Sequence, residues 1–405
     1  MNKNKYIIVL LISIFLFNPI SIKALEYPKT DSKIVEIYDL TDKKVLYEVD
    51  SLKEVSIASL TKIVTTITAI ETIPNLDEKV TITYDILSTV PWDASKAGLE
   101  VGDQVTYRDL LFASMIPSGA DATNSIAILS SGSIDNFVKK MNDLVTKLKL
   151  KHTHFVNVTG YDADGHYSTA DDVRVILEYA LSNELFKQIY ASQRYTLSNG
   201  LQVKSTIIRY NTAGTDTTKI MGSKTGYTGN AGYCLSSLSK INGHEFIIVV
   251  LNATHEGKTY YHIVDTINLI NFLENNYKDE VLVNKKDLIT TLPIELSKYE
   301  KYDVLASKEV TKFLPSDYDK DKIKIEYKGL DKLSFLNKKG EKIGTITDSY
   351  DGEKISEEEV FLLDKLDMDI GKVLMKYIYI VIAVPVILIG LIILLIKRRH
   401  KKISA

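Results

Sequence analysis

The sequence predicts an α+β fold, with helices packed on an antiparallel sheet, followed by a small all-β domain and a C-terminal transmembrane helix. Three observations predict it. Alternating runs bounded by turn residues open and close the first 277 residues, with helix-period segments between them. From about residue 279 the chain changes character, and runs such as 322–327 and 342–346 alternate strictly. Finally, residues 377–396 are 20 in a row without a charge, enough to cross a bilayer.

Composition sets the bounds. A chain of 405 residues, 45% hydrophobic and 25% charged, is globular in character and long enough for two domains. The formal charge of −2 conceals an asymmetry: residues 1–24 and 377–405 hold eight of the 50 Lys and Arg and no acid. The middle therefore sets 42 cations against 52 acids, which argues against nucleic acid as a partner. A single cysteine, Cys234, excludes an internal disulfide framework and is expected to be buried rather than reactive.

Taken in order, residues 1–24 carry Lys3 and Lys5, an apolar run over 6–17, Asn18-Pro19 and a small residue at Ala24. That pattern is a secretory signal peptide cleaved after Ala24, with an uncleaved anchor as the other reading. Residues 33–39 and 45–49 alternate around a polar turn and read as a hairpin. The stretch 56–62, Ser-Ile-Ala-Ser-Leu-Thr-Lys, opens an apolar helix, and 80–84 is strand-like. Helical segments at 108–114 and 121–129 flank Ile116-Pro117-Ser118-Gly119-Ala120. Residues 133–148 form an amphipathic helix behind a serine cap, and another runs from Thr169 or Ala170 to Leu181 with Asp171 and Asp172 in its first turn. A short glycine-bounded strand covers 222–226. Strands at 233–240 and 245–251 are joined by Asn242-Gly243, a strong type I′ signal, and a helix over 260–275 closes the domain.

The expected division is thus 25–278 for the first domain, 279–366 for the β-rich one, 377–396 for the span and 397–405 for a basic tail. Lys397 to Lys402 belong on the cytoplasmic side, which leaves the body outside the cell as a single-pass membrane protein. Pro385 and Gly390 are tolerated inside a membrane helix.

Three short motifs carry chemistry. Ser59 and Lys62, three residues apart at the start of a helix, lie on one face about one turn apart. A serine hydroxyl needs a neighbouring base that is neutral part of the time, and a lysine in a dry pocket can serve. Lys224-Thr225-Gly226 sits on a strand, where an ammonium and a hydroxyl suit a terminal carboxylate and a small residue permits close backbone approach. In Ser118-Gly119-Ala120 a second hydroxyl could relay protons to Lys62. Each motif alone recurs by chance, as a helix start, a strand edge or a turn. His152, His154 and His166 lie close in sequence but lack the adjacent carboxylates or His-Glu-x-x-His spacing of a metallopeptidase. The sequence calls for no metal and no cofactor.

Together, in this order, Ser-x-x-Lys, a Ser-Gly turn and Lys-Thr-Gly form the set found in penicillin-binding proteins and class A β-lactamases. From about residue 33 to 277 the chain resembles the low-molecular-mass penicillin-binding proteins that act as D-alanyl-D-alanine carboxypeptidases. The stretches 91–98, 110–111, 141–142, 167–171 and 228–233 share in that likeness. The resemblance implies a β-lactamase/transpeptidase-like fold, and β-lactam antibiotics as inhibitors. Its implied substrate is a peptidoglycan stem peptide ending in D-Ala-D-Ala. It implies Ser59 as nucleophile, Lys62 as base, and Ser118 passing the proton toward the leaving D-alanine. Lys224 and Thr225 would bind the terminal carboxylate, and the N–H groups of Ser59 and Tyr227, beside Gly226, would form the oxyanion hole.

Two departures stand out. The family's second motif ends in asparagine, and here Ala120 takes that place, with Asp121 and Asn124 as neighbours that could compensate. Many relatives also carry an arginine after the strand following Lys-Thr-Gly, whereas 252–255 has none, which throws carboxylate recognition onto Lys224 and Thr225. A β-lactamase, a wall endopeptidase or a penicillin-binding sensor without turnover are the competing readings. Against the first, class A β-lactamases place a glutamate four residues before an asparagine, and here that place before Asn157 is Thr153.

Overall fold

The computed structural model describes residues 25–212 and 214–403, so the signal peptide expected over 1–24 lies outside the described residues. One compact unit spans Glu26–Asn276 and a second begins at Tyr277.

The first unit is built on a five-stranded antiparallel sheet. Its strands are β1 (Ile34–Asp39), β2 (Lys44–Val49), β3 (Gly222–Thr228), β4 (Gly232–Ile241) and β5 (His244–Ala253), in the order β2-β1-β5-β4-β3. The β4–β5 turn has Asn242 and Gly243 both at positive φ, 48° and 96°, as a type I′ turn requires. Every residue of β5 from Phe246 to Leu251 is buried. Alternate side chains Ile247, Val249 and Leu251 join the main core, so the intervening ones face the other way and both faces of this strand are covered.

The helices are α1 (Thr61–Thr72), α2 (Tyr107–Met115), α3 (Ala120–Ser131), α4 (Ile134–Lys147), α5 (Ala170–Leu181), α6 (Glu184–Ala191) and α7 (Tyr261–Asn276). α5 packs on β1 and β5, and α7 on β4 and β5. α1 is buried on every side from Thr61 to Ala69, which calls for its polar groups to be paired, although the Thr66 and Thr68 hydroxyls find no partner among the described residues. Thr65 meets that need by donating to the Val158 carbonyl at 2.7 Å. Side-chain caps fix the starts of other helices: Thr106 with Asp109 in a capping box for α2, Ser133 for α4 and Thr169 for α5.

Two local readings change. The run 80–84 contributes only Lys79–Thr81 to a strand, because the Thr83 hydroxyl caps a short helix, Tyr84–Ser88. Helix α6 has no counterpart among the expected elements, although Asn183 caps it in the usual way.

The second unit contains β6 (Tyr277–Val283), β7 (Leu288–Glu295), β8 (Lys301–Leu305), β9 (Val310–Pro315), β10 (Ile323–Gly329), β11 (Leu333–Ser334), β12 (Lys342–Tyr350) and β13 (Glu353–Phe361). All pairs are antiparallel except β7 with β11. Its small core is drawn from Leu292, Ile294, Val304, Leu333, Ile346 and Leu362. A helix, α8 (Ile370–Ile403), follows and is long and apolar enough over Ile370–Arg399 to cross a membrane. It starts before the uncharged run, and Lys372 and Lys376 in its first turns bind Ser297 O at 3.0 Å and Glu295 at 2.7 Å.

Candidate active site

Ser59 stands in a single 3₁₀ turn, Ala58–Leu60, that leads directly into α1. Ala58 before it holds a left-handed φ of 48°, which aims Ser59 outward while Ile57, Ala58 and Leu60 stay buried. One turn on, Lys62 is 2% exposed and donates to Ser59 Oγ at 3.0 Å and to the Thr159 carbonyl at 2.7 Å. Burial pushes the Lys62 ammonium down from its usual range to about 7, against an upward pull from Asp121. A large share of it is therefore neutral near pH 7.

Edge strand β3 brings the second lysine. Lys224, 1% exposed, donates to Ser118 Oγ at 2.9 Å and to the Thr225 carbonyl at 2.7 Å. Burial holds its ammonium well below the usual lysine range, and Lys62 and Arg209 push the same way. Ser118 is the site's second residue at positive φ, 64°. The hydroxyl expected to relay protons to Lys62 is thus hydrogen-bonded to Lys224. Gly226 has a further reason to be small. A Cβ there would come within 2.9 Å of the Ser59 amide nitrogen, so its smallness lets the strand approach the nucleophile's own turn.

Ser59, Lys62, Ser118, Thr225, Gly226 and Tyr227 share the lining of a cavity of about 680 Å³. Two groups that the sequence did not suggest line it as well. Arg209, from the short helix Ile208–Thr212, lines the same cavity as Thr225, whose hydroxyl lies 2.7 Å from that of Thr206. Tyr210, Tyr233 and Tyr260 form an aromatic wall, with Tyr233 and Tyr260 ring centres 5.3 Å apart. No periodicity marks residues 205–221, and a lone arginine in irregular chain gives no signal of its own.

Neither neighbour of Ala120 replaces the missing asparagine. Asp121 accepts the backbone N–H groups of Ala97, Gly98 and Leu99, and the Asn124 amide donates to Thr89 Oγ1 at 2.9 Å. The three histidines go to separate partners: His152 to Glu54, His154 to the Gly165 carbonyl, and buried His166 to Thr61 Oγ1. Among the described residues, Asp39, Asp42 and His244 alone are close enough to share a cation. They stand by the hairpin turns of β1 and β5, where Asp39 already accepts the Thr41 and Asp42 N–H groups. Cys234 is buried, and its thiol is pushed up to about 12.

Comparison with known proteins bears on the family and the fold. The D-alanyl-D-alanine carboxypeptidase sequence profile matches residues 22–255. The carboxypeptidase DacF of Bacillus subtilis is 29% identical over 321 residues, covering 78% of this chain and 81% of its own. DacC of Escherichia coli is 31% identical over 252 residues, covering 59% and 62%. Among solved structures, penicillin-binding protein 3 of Streptococcus pneumoniae superposes with a TM-score of 0.62 at 21% identity, over 84% of this chain and 100% of its own. The Streptomyces K15 DD-transpeptidase gives 0.55 at 28% identity, over 61% and 98%. With more than half its length matched by one profile, the chain belongs to the D-alanyl-D-alanine carboxypeptidase family of serine peptidases.

Proposed function

We propose that this enzyme removes the terminal D-alanine from peptidoglycan stem peptides through an acyl-enzyme on Ser59. The observation that carries the reading is the 3.0 Å contact between a hydroxyl at the cavity surface and a buried ammonium held near neutrality. Neutral Lys62 takes the Ser59 proton as Oγ attacks the carbonyl of the penultimate D-alanine. The N–H groups of Ser59 and Tyr227 receive the developing oxyanion. Ser118, backed by Lys224, helps deliver a proton to the departing D-alanine amine. Water then attacks the acyl ester, and one D-alanine and a shortened peptide leave. A pentapeptide ending in D-Ala-D-Ala should yield one D-alanine and a tetrapeptide, and penicillin should stop the reaction. Absence of D-alanine release from active, penicillin-labelled protein would refute the assignment.

Carboxylate recognition rests on the Ser118 and Thr225 hydroxyls and on Arg209, with Lys224 buried just behind them. A charge-assisted hydrogen bond at an exposed guanidinium is worth about 1–2 kcal/mol after solvent screening. Arg209→Ala should therefore lower kcat/KM on the free-acid peptide by roughly five- to thirtyfold. A peptide amidated at its C-terminus should be insensitive to the change, and equal losses on both peptides would remove Arg209 from this role.

The domain and membrane assignments form part of the same proposal. The enzyme is secreted through residues 1–24, its catalytic and β-rich domains lie outside the cell, and α8 spans the membrane with its basic end in the cytoplasm. Deleting 377–405 should give a secreted, soluble protein that still reacts with penicillin. Truncated protein recovered in the membrane fraction would point to an uncleaved leader or a second attachment.

A further inference from the structure

Lys62 works without the side-chain acceptor that its family's second motif supplies, because Ala120 offers a methyl group there. Among the described residues, its ammonium donates to Ser59 Oγ and to one other partner, the Thr159 carbonyl. Residues 157–161 belong to no helix or strand that would fix that carbonyl. Thr65 fixes the Val158 carbonyl at 2.7 Å, and the turn around Thr159 itself is held by the side chain of Asn157. Asn157 Oδ1 accepts the N–H groups of Thr159 at 3.1 Å, Gly160 at 2.8 Å and Tyr161 at 3.2 Å, while Nδ2 donates to the Tyr161 carbonyl at 2.8 Å. The loop so wound is pressed against the nucleophile's turn. Gly160 is left-handed at φ 84°, and a Cβ there would fall 1.8 Å from the Ala58 carbonyl oxygen.

We propose that Asn157 is the positioning residue for the catalytic base, aiming the Thr159 carbonyl at Lys62 and so doing through the backbone what Ala120 cannot do. This rests on the assignment of Lys62 as base. Among the described residues no hydrogen bond joins Asn157 to Ser59 or Lys62, so it acts on the base through that carbonyl. The charged or titratable groups facing Lys62 are Asp121 from α3, Lys224 from β3 and His166 from the far side of the same loop. The substitutions below alter none of them.

The test is the second-order rate of penicillin acylation as a function of pH, with two variants of the full chain. Asn157→Ala releases the carbonyl, so the charged form of Lys62 loses an acceptor. Acylation should fall by roughly ten- to a hundredfold, and the acid limb of the profile should move to lower pH. Asn157→Asp keeps Oδ1 for the three N–H groups but adds a negative charge beside the loop. It should retain most of the rate and move the acid limb to higher pH. Limbs that stay in place in both variants, with losses matching only the unfolded fraction, would overturn the proposal. If Asn157→Ala does not fold, Asn157→Ser, which withdraws the acceptor without adding charge, takes its place with the same expected and overturning outcomes. Failure of the underlying reading would look different, since the limb near 7 would then persist in Lys62→Arg whatever Asn157 does.

Discussion

Ser59→Ala should take up no covalent label from penicillin and should release no D-alanine from a pentapeptide above background. Removing a nucleophile that works as a unit with its base costs on the order of 10⁴-fold or more in turnover. The fold should not suffer with it. The Ser59 hydroxyl is tied only to Lys62 among its described bonds, and Lys62 keeps the Thr159 carbonyl when that hydroxyl is gone. A surface truncation of this size shifts stability by about 0.5 kcal/mol or less. An inert protein with a near-normal melting temperature is therefore the expected result. Stoichiometric labelling of the variant would place the nucleophile elsewhere, and a collapsed melting temperature would make the loss uninformative about chemistry.

The second large effect is in the pH profile. Burial has moved Lys62 down to about 7, so its neutral form, the one that accepts the Ser59 proton, accumulates above that pH. For the free enzyme, kcat/KM should rise about tenfold per pH unit below 7 and flatten above it. A lysine with its ordinary value near 10.5 would give a limb rising well into the alkaline range instead. Lys62→Arg keeps a cation in the same cleft but cannot surrender its proton near neutral pH. It should lose roughly 10²- to 10⁴-fold in acylation, and the limb near 7 should vanish. A limb that persists unchanged in the arginine variant would assign that ionisation to another group.

Much of this site could be read before the structure. Ser59 and Lys62 were legible because helix periodicity alone brings residues three apart together, and the structure puts their polar atoms 3.0 Å apart. Asn242-Gly243 and the cap at Ser133 were legible because each residue type answers a specific backbone need. Arg209 was not, since only the tertiary fold carries that segment to β3. The Thr159 carbonyl was invisible for a deeper reason: every residue has a carbonyl, so a backbone acceptor leaves no mark on composition or spacing. The same holds for Ser118, whose turn was evident but whose choice of Lys224 depends on where β3 lies. Helix α6 was overlooked although its Asn183 cap was available, because eight residues carry too short a period to stand out from the surrounding chain.

The two left-handed residues at the site that carry side chains, Ala58 and Ser118, bear on how this enzyme could evolve or be engineered. Side chains pay about 1–3 kcal/mol for such a backbone, and here both presentations of a reactive hydroxyl depend on it. Against a typical folding margin of about 5–15 kcal/mol, that is a standing levy on thermal robustness. Selection for heat tolerance would find relief by relaxing these turns, and each relaxation would swing a serine away from its lysine. Gains in robustness are thus to be sought in the rest of the chain, and the turn before α1 and the one before α3 are the places to leave alone.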